Sequence, residues 1–589
     1  MTKPHSNRIA MDRLMFALIG AIAGAACYVL VEILPEQIEN ERLLLLVAAA
    51  AGGFFAALLA AIGPLPLSRA AIAAAVSALP PALLLYWASF RFQGVEAFLE
   101  SLHPPVAYFV MVTILLPFLI ALQRPGEGWR NYPALFDQSW NIVVRYAAAW
   151  VFTGLFWAVI MLSDALFGLV GLTIIQDLLE LDPVPYVLTG AVLGVALAVV
   201  VELSDYVSPF LILRLLRLLL PVVLVVTAVF LVALPVQGLS NLFGGLSAAA
   251  TLMAMALGIA TLITSALDHS NQRAVESRAM RAITQALALT MPVLAALSIY
   301  AIWLRVREYG QSPDRLAALT FALLTLGYGL LYALAVIARK HWMARIRSAN
   351  IAMALVTVAV AALWLTPLVN PQRISAGNQL ARFEAGDVGV DDLDLWFIGR
   401  ELGVAGEAAL ARLAAMDHPD AEALGARLVA LNEADSEYRF NREGSVLGAD
   451  AARAILADKL VLRPEGAVLP ADTFLNSAAQ QLERYAKGCT LTTPAGNPGC
   501  VLVLADLVPG RPGPEPLLVF LTSQTNASLE AVRTRPEPAG NAPPIYLRGS
   551  KYGSIGPQTI DALIAGDFRL APAGIMSLNV GEAQIILKP

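Results

Sequence analysis

Apolar residues in this chain gather into runs of about 20, the helix length that crosses roughly 30 Å of hydrocarbon. No soluble core absorbs such runs many times over, so this feature decides the fold class before any motif is sought. We read eleven of them, at 14–34, 43–62, 70–90, 106–122, 142–162, 184–203, 218–234, 246–266, 282–304, 316–338 and 351–369. Each is about twice the length of a barrel strand and lacks two-residue alternation, so helices are the expected spanning structure. Composition agrees. Of 589 residues, 58% are hydrophobic and only 14% charged, against about 25% charged in a soluble domain. Mean hydropathy is +0.67. The formal charge of −5 averages basic loops with a more acidic soluble part, and no basic patch marks a nucleic-acid partner. Membrane lipids are the expected surroundings.

Residues 1–13 carry Lys3, Arg8 and Arg13 and form a short tail before the first run. That run is too long for the apolar core of a signal peptide, so we read it as an uncleaved span. Orientation comes from Lys and Arg in the short loops. With the tail in the cytoplasm, the inner loops collect Arg69, Arg124, Arg130, Arg214, Arg217, Arg273, Arg278, Arg281, Arg339, Lys340, Arg345 and Arg347. The outer loops hold only Arg42, Arg91, Arg305, Arg307 and Arg315. An odd number of spans that begins inside ends outside. Residues 14–370 are therefore expected to form an α-helical polytopic bundle of about 11 transmembrane helices in the cytoplasmic (inner) membrane. The soluble part, residues 371–589, is expected to be extracytoplasmic, in the periplasm. Residues 166–181 begin apolar and turn acidic; at that length an interfacial or re-entrant helix is expected, and a true crossing would invert everything downstream.

Several spans hold residues that interrupt or tighten helices: Pro80 and Pro81 in the third, Pro117 in the fourth, Pro292 in the ninth. Such breaks either mark a transporter's binding site or are plain kinks whose freed carbonyls find other partners. Gly20 and Gly24, and Gly190 and Gly194, form two Gly-x-x-x-Gly pairs that permit close helix approach, within one bundle or between copies. No span carries a central Asp, Glu, Lys or His, and His5, His103, His269, His341 and His418 all fall outside the runs as read. That absence argues against a proton relay or an ion-coupled pump. The outer segment 305–315, RVREYGQSPDR, departs from the charge rule. Arg305, Arg307, Glu308, Tyr309 and Arg315 are candidate binding residues for an anionic ligand, met by guanidinium forks. The alternative is internal pairing with Glu308 or Asp314 and snorkelling at the helix ends.

From Trp140 to Arg412 the chain resembles a bacterial polytopic membrane-protein family catalogued as a domain of unknown function (the 4153 family). The resemblance is carried by Trp140, by WAVIMLSDALFGLVG at 157–171, by RVREYGQSPDR at 305–315 and by ISAGNQLARFEAG at 374–386, leading into 393–413. It implies a multi-pass inner-membrane protein. It supplies no activity and no catalytic residues.

After Pro371 the composition shifts to charged and Ala-rich segments at helical spacing, so 371–459 is expected to be a helical segment. Residues 460–589 read as an α+β domain, with a helix at 472–487 and strands at 500–505, 517–522, 545–548, 568–570 and 584–587. Asp506 and Glu515 bracket a Pro- and Gly-rich stretch with too few oxygen ligands for calcium, and no third Cys or nearby His completes a zinc set. Cys489 and Cys500 flank the loop TLTTPAGNPG; they are placed for a disulfide of an oxidising compartment, the other reading being two free thiols. No Gly-x-Ser-x-Gly elbow, Walker A loop or Gly-x-Gly-x-x-Gly element is present, so catalysis is the weakest class and no cofactor is expected. Two functions remain. In the first, an envelope scaffold or sensor presents residues 460–589 to a protein partner. In the second, the bundle transports or binds a lipid-like or anionic small substrate.

Overall fold

The computed structural model describes residues 3–202, 209–237, 248–443, 449–469, 474, 477, 479–506, 514–523, 526–532, 556–568, 577–580 and 583–586. The chain divides into two compact units, Met1–Met416 and Asp417–Pro589. The break falls inside the segment expected to be helical over 371–459.

Among the described residues of the first unit, eleven helices are long and apolar enough to span a membrane: α1 (Ala10–Gln37), α2 (Glu41–Ala61), α3 (Leu67–Ser89), α4 (His103–Gln123), α5 (Tyr132–Leu169), α6 (Pro183–Glu202), α7 (Ile212–Leu234), α8 (Ala248–Leu267), α9 (Arg278–Tyr309), α10 (Pro313–Ile337) and α11 (Trp342–Leu365). Their starts are written in polar residues. The side chain of Asn40 accepts from the Arg42 and Leu43 amides, that of Asn131 from Ala134, and that of Ser312 from Arg315. Each cap satisfies amides that have no partner within the first turn. Proline at the start of α5 and α10 presets the first turn. Pro80, Pro81, Pro117 and Pro292 lie inside continuous helices. At Pro292 the chain of α10 closes in: a Cβ on Gly329 would stand 2.8 Å from the proline nitrogen.

The segment 166–181 is not one element. α5 continues to Leu169, and after a turn comes a six-residue helix, Ile174–Leu179. At 1.5 Å per residue that helix is about 9 Å long and cannot cross a bilayer.

The spans form two packed groups. In the first, α1 to α6 close around Phe16, Leu59, Ile62, Ile120, Ala149 and Leu197. There α1 lies on α6, and the two glycine pairs meet each other. A Cβ on Gly190 would sit 2.1 Å from the Gly20 carbonyl oxygen, and one on Gly194 would sit 2.2 Å from that of Phe16. In the second group, α7 to α10 and the first half of α11 close around Leu252, Ile259, Met291, Leu294, Tyr332 and Ile346. The far end of α11 leaves that core, and Ala361, Trp364 and Leu365 pack with Leu85, Phe98 and Met111 of the first group. α11 therefore joins the two groups. Two shorter helices, α12 (Pro371–Glu384) and α13 (Gly403–Ala414), pack against each other after it.

The second unit begins with α14 (Ala421–Glu433), α15 (Glu437–Glu443) and α16 (Ala449–Lys459). Its sheet runs β1 (Val461–Arg463), β2 (Cys500–Ala505), β3 (Glu515–Leu521) and β4 (Ala527–Ala531) in that spatial order. β1 lies parallel to β2 and the other pairs are antiparallel. Alternation along β2 and β3 sends side chains to two faces. Leu502, Leu518 and Phe520 meet α16 and α17 (Ala479–Thr490), while Val501, Val503 and Val519 meet Ile560 of α18 (Pro557–Ala565). This is the expected α+β arrangement, with helices on both faces of the sheet. Cys489 and Cys500 form a disulfide. The loop it closes is pinned by Asp561, whose Oδ1 accepts from Thr493 and Asn497. A separate hairpin, β5 (Ser577–Val580) with β6 (Ala583–Ile586), overlaps the strand read at 584–587. The strand expected at 545–548, most of that at 568–570 and the Pro-rich interior of 507–513 lie outside the described residues.

Candidate functional site

A cleft of about 750 Å³ separates the two groups of spans, within the roughly 300–1,000 Å³ of small-molecule sites. α4 and α5 form one wall, α8 and α10 the other, and α11 runs along the back from Asn350 to Trp364. The fourteen helical steps from Asn350 to Trp364 make that wall about 21 Å long, a large part of the hydrocarbon thickness. Val106, Val143, Leu257 and Phe321 line the cleft and are 56%, 58%, 54% and 40% exposed. The cleft is therefore edged by exposed apolar side chains. Among the described residues, no Asp, Glu, Lys or Arg lines it.

Polarity inside the cleft is confined to hydroxyls, amides and ring nitrogens. Thr261, Thr320, Thr325 and Thr357 each donate to the carbonyl four residues back in their own helix. This leaves their oxygen lone pairs as the groups a ligand meets. At one end Asn350 bridges two tyrosines: Tyr332 donates to its Oδ1, and its Nδ2 donates to the Tyr132 hydroxyl over 3.1 Å. At the other end the His103 ring stands edge-on to Trp364, centroids 5.6 Å apart. There the His103 Nδ1 and the Trp364 Nε1 are buried without a hydrogen-bond partner. Buried polar atoms without a partner are uncommon in folded proteins. His103, read from sequence as lying outside the spans, is the first residue of α4 and part of this wall.

Both ends of the cleft are clasped. Beyond Asn350, Asp268 is 2% exposed. It takes the guanidinium of Arg217 from α7 and the His269 amide. Its carbonyl oxygen accepts from Arg347 of α11, which also holds Asn271. His269 in turn reaches Asp137 of α5 at 2.9 Å, tying the second group to the first. Beyond Trp364, Arg91 from the end of α3 donates to the carbonyls of Trp364, Thr366 and Val369. Burial lowers Arg91 to about 10, so it remains cationic at neutral pH. Arg347 and Trp364 are about 26 Å apart along α11, so the clasps sit at opposite ends.

The five residues expected to meet an anionic ligand form a different feature. Arg305 and Arg315 both lie beside the Tyr309 ring, at 5.9 and 5.6 Å from its centroid, while Arg307 turns to Trp303. The backbone between them is gripped by α12. Arg382 donates to the Glu308 carbonyl, Gln379 to that of Tyr309 and Ser375 to that of Gln311, whose amide donates to Asn378. Gly310 has φ +76°, and a Cβ there would stand 2.7 Å from Arg382 Nη1. The backbone conformation there favours glycine, and a side chain would have to displace the ends of Arg382, Gln379 and Asn378. The stretches 305–315 and 374–386, far apart in sequence, thus make one joint. Among the described residues, no three His, Cys, Asp or Glu side chains converge as a metal site.

Sequence reading missed the cleft because threonine and tyrosine in a span look like packing. A signal exists nonetheless. Thr320, Leu324, Tyr328 and Tyr332 on α10, and Asn350, Ala354, Thr357, Ala361 and Trp364 on α11, recur at three- and four-residue intervals and line one face each.

Fold and site define a multi-pass α-helical membrane protein with an internal cleft and a folded C-terminal unit. The family described as Domain of unknown function (DUF4153) matches residues 43–413, more than half of the chain, and the protein belongs to that family. The match begins well before Trp140, where the resemblance read from the residues starts, and takes in all the helices that line the cleft. No curated protein and no solved structure matches the chain.

Proposed function

We propose that this protein binds a single lipid-like amphiphile in the cleft between its two groups of spans, taken in sideways from the bilayer. The observation that carries the reading is the cleft itself: long, largely apolar, uncharged, open past exposed apolar side chains, with threonine hydroxyls along it and further polar groups at both ends. An acyl chain matches the middle, and a hydroxyl- or carbonyl-bearing head matches an end. We place the protein in a bacterial inner membrane with the N-terminus cytoplasmic and the second unit periplasmic. The alternation of arginine-rich and arginine-poor loops supports this, as does a disulfide in the second unit. The Arg305–Arg315 loop serves in this reading as the joint that seats α12.

Native mass spectrometry of the intact protein, released from detergent, tests it. The wild type is expected to carry one lipid-sized adduct. Ala354→Trp, which puts an indole into the cleft from α11, is expected to lower its occupancy about tenfold, equivalent to about 1.4 kcal/mol. Equal adducts on both proteins would place the lipid elsewhere. A scaffold or sensor role has one observation in its favour, a second unit with its own cores and disulfide. It predicts instead a stoichiometric envelope protein that is lost on deleting residues 460–589.

A further inference from the structure

Where α3 and α11 end, a second cleft of about 500 Å³ is enclosed by α12 and α13. Among the described residues, its charged lining consists of Arg91, Arg373 and Arg412, with no Asp or Glu. Small residues leave the space: Ala376 and Gly377 on α12 face Ala405, Ala408 and Ala409 on α13 across it. Arg412 has one acidic neighbour, Glu384, at 3.9 Å with both side chains exposed, a contact of little strength in water. Glu407 of α13 is held by Gln93 Nε2, at 2.8 Å.

Arg91 distinguishes this cleft from a patch of surface arginines. It is 8% exposed. Its Nη2 is fixed by three carbonyls, at 2.7, 2.9 and 3.1 Å, while its Nη1 has no hydrogen-bond partner. A guanidinium is a planar fork suited to two-point contact with an oxyanion. Here one arm is anchored to the protein and the other is left over, in a cleft that Arg373 and Arg412 also line. A buried cation without a carboxylate, walled by small side chains, is matched by a tetrahedral anion.

We infer that the Arg91–Arg373–Arg412 cleft binds a phosphate-bearing anion, with Arg91 as the buried anchor and Arg373 and Arg412 closing over it. The phosphate belongs either to a soluble ion or to the headgroup of an anionic lipid reaching past Trp87 and Phe90, which are 53% and 48% exposed at the rim. The inference stands apart from the occupant of the larger cleft.

Two arms of one experiment test it on the intact protein. Inorganic phosphate is titrated by calorimetry into protein in a neutral, non-ionic detergent. In parallel, protein in nanodiscs of equal phosphatidylglycerol and phosphatidylcholine is released for native mass spectrometry. Either saturable phosphate binding or selective retention of phosphatidylglycerol is expected. The double variant Arg373→Gln/Arg412→Gln, both residues being exposed, keeps the fold and should weaken the positive arm at least tenfold. Arg91→Gln should do the same, unless it fails to fold, in which case the double variant decides. Phosphate alone binding identifies a soluble anion, and phosphatidylglycerol alone identifies a headgroup. Neither binding, or binding unchanged in the double variant, overturns the inference.

Discussion

Asp268→Ala is expected to cost the intact protein about 3–5 kcal/mol, the loss typical of removing one partner from a buried ion pair. The carboxylate is buried against Arg217, whose side chain is 12% exposed, so the variant leaves a largely buried cation held, among the described residues, only by the carbonyls of Ser265 and Arg273. It also frees the His269 amide. The effect should spread, because this corner gathers α7, α8, α11 and, through His269 and Asp137, α5. Asp268 itself holds a left-handed backbone, φ +52°, a conformation that costs a residue other than glycine about 1–3 kcal/mol and persists only where contacts enforce it. Thermal unfolding in detergent reads the loss. Asp268→Ala/Arg217→Met should recover part of it by removing the stranded charge. An Asp268→Ala protein as stable as the wild type would mean that the clasp carries no weight.

Gly190→Leu is expected to pull α1 from α6 and cost about 3 kcal/mol, the upper end for overpacking a close-fitting site. A Cβ at 2.1 Å from the Gly20 carbonyl oxygen must retreat by roughly 1.5 Å to reach ordinary contact. The obstruction is backbone, which cannot turn aside as a side chain does. Gly154→Leu on α5 is the control, since nothing lies within 4 Å of a Cβ there; it should leave stability within about 0.5 kcal/mol of wild type. Were the glycine pairs instead to join two copies of the chain, Gly190→Leu would lower the oligomeric state and spare the monomer's melting temperature. Size-exclusion chromatography with light scattering, run beside the thermal scan, separates the two.

The spans were legible because lipid demands length and apolarity, and both are visible in sequence. So were the strands β2 and β3 and the Cys489–Cys500 bridge. Which helices meet was not legible. Between lipid and a neighbouring helix the composition hardly changes, and the paired glycines signalled a close approach without naming the partner. The Asp268 clasp was hidden for another reason: Arg217 and Arg347 had an adequate explanation as positive-inside residues, and Asp268 falls one residue past α8. The Arg305–Arg315 loop stood out in sequence, but its partner α12 begins some 60 residues later and has no charge pattern that points back. β1 is three residues long, shorter than any alternation can reveal.

The most direct measurement is a single-particle structure of the intact protein in nanodiscs of bacterial lipid. The account predicts an elongated density along α11 between Asn350 and Trp364, apolar in its contacts and ending near His103 or Tyr132. A cleft collapsed onto its own side chains, or filled by ordered water alone, would contradict it.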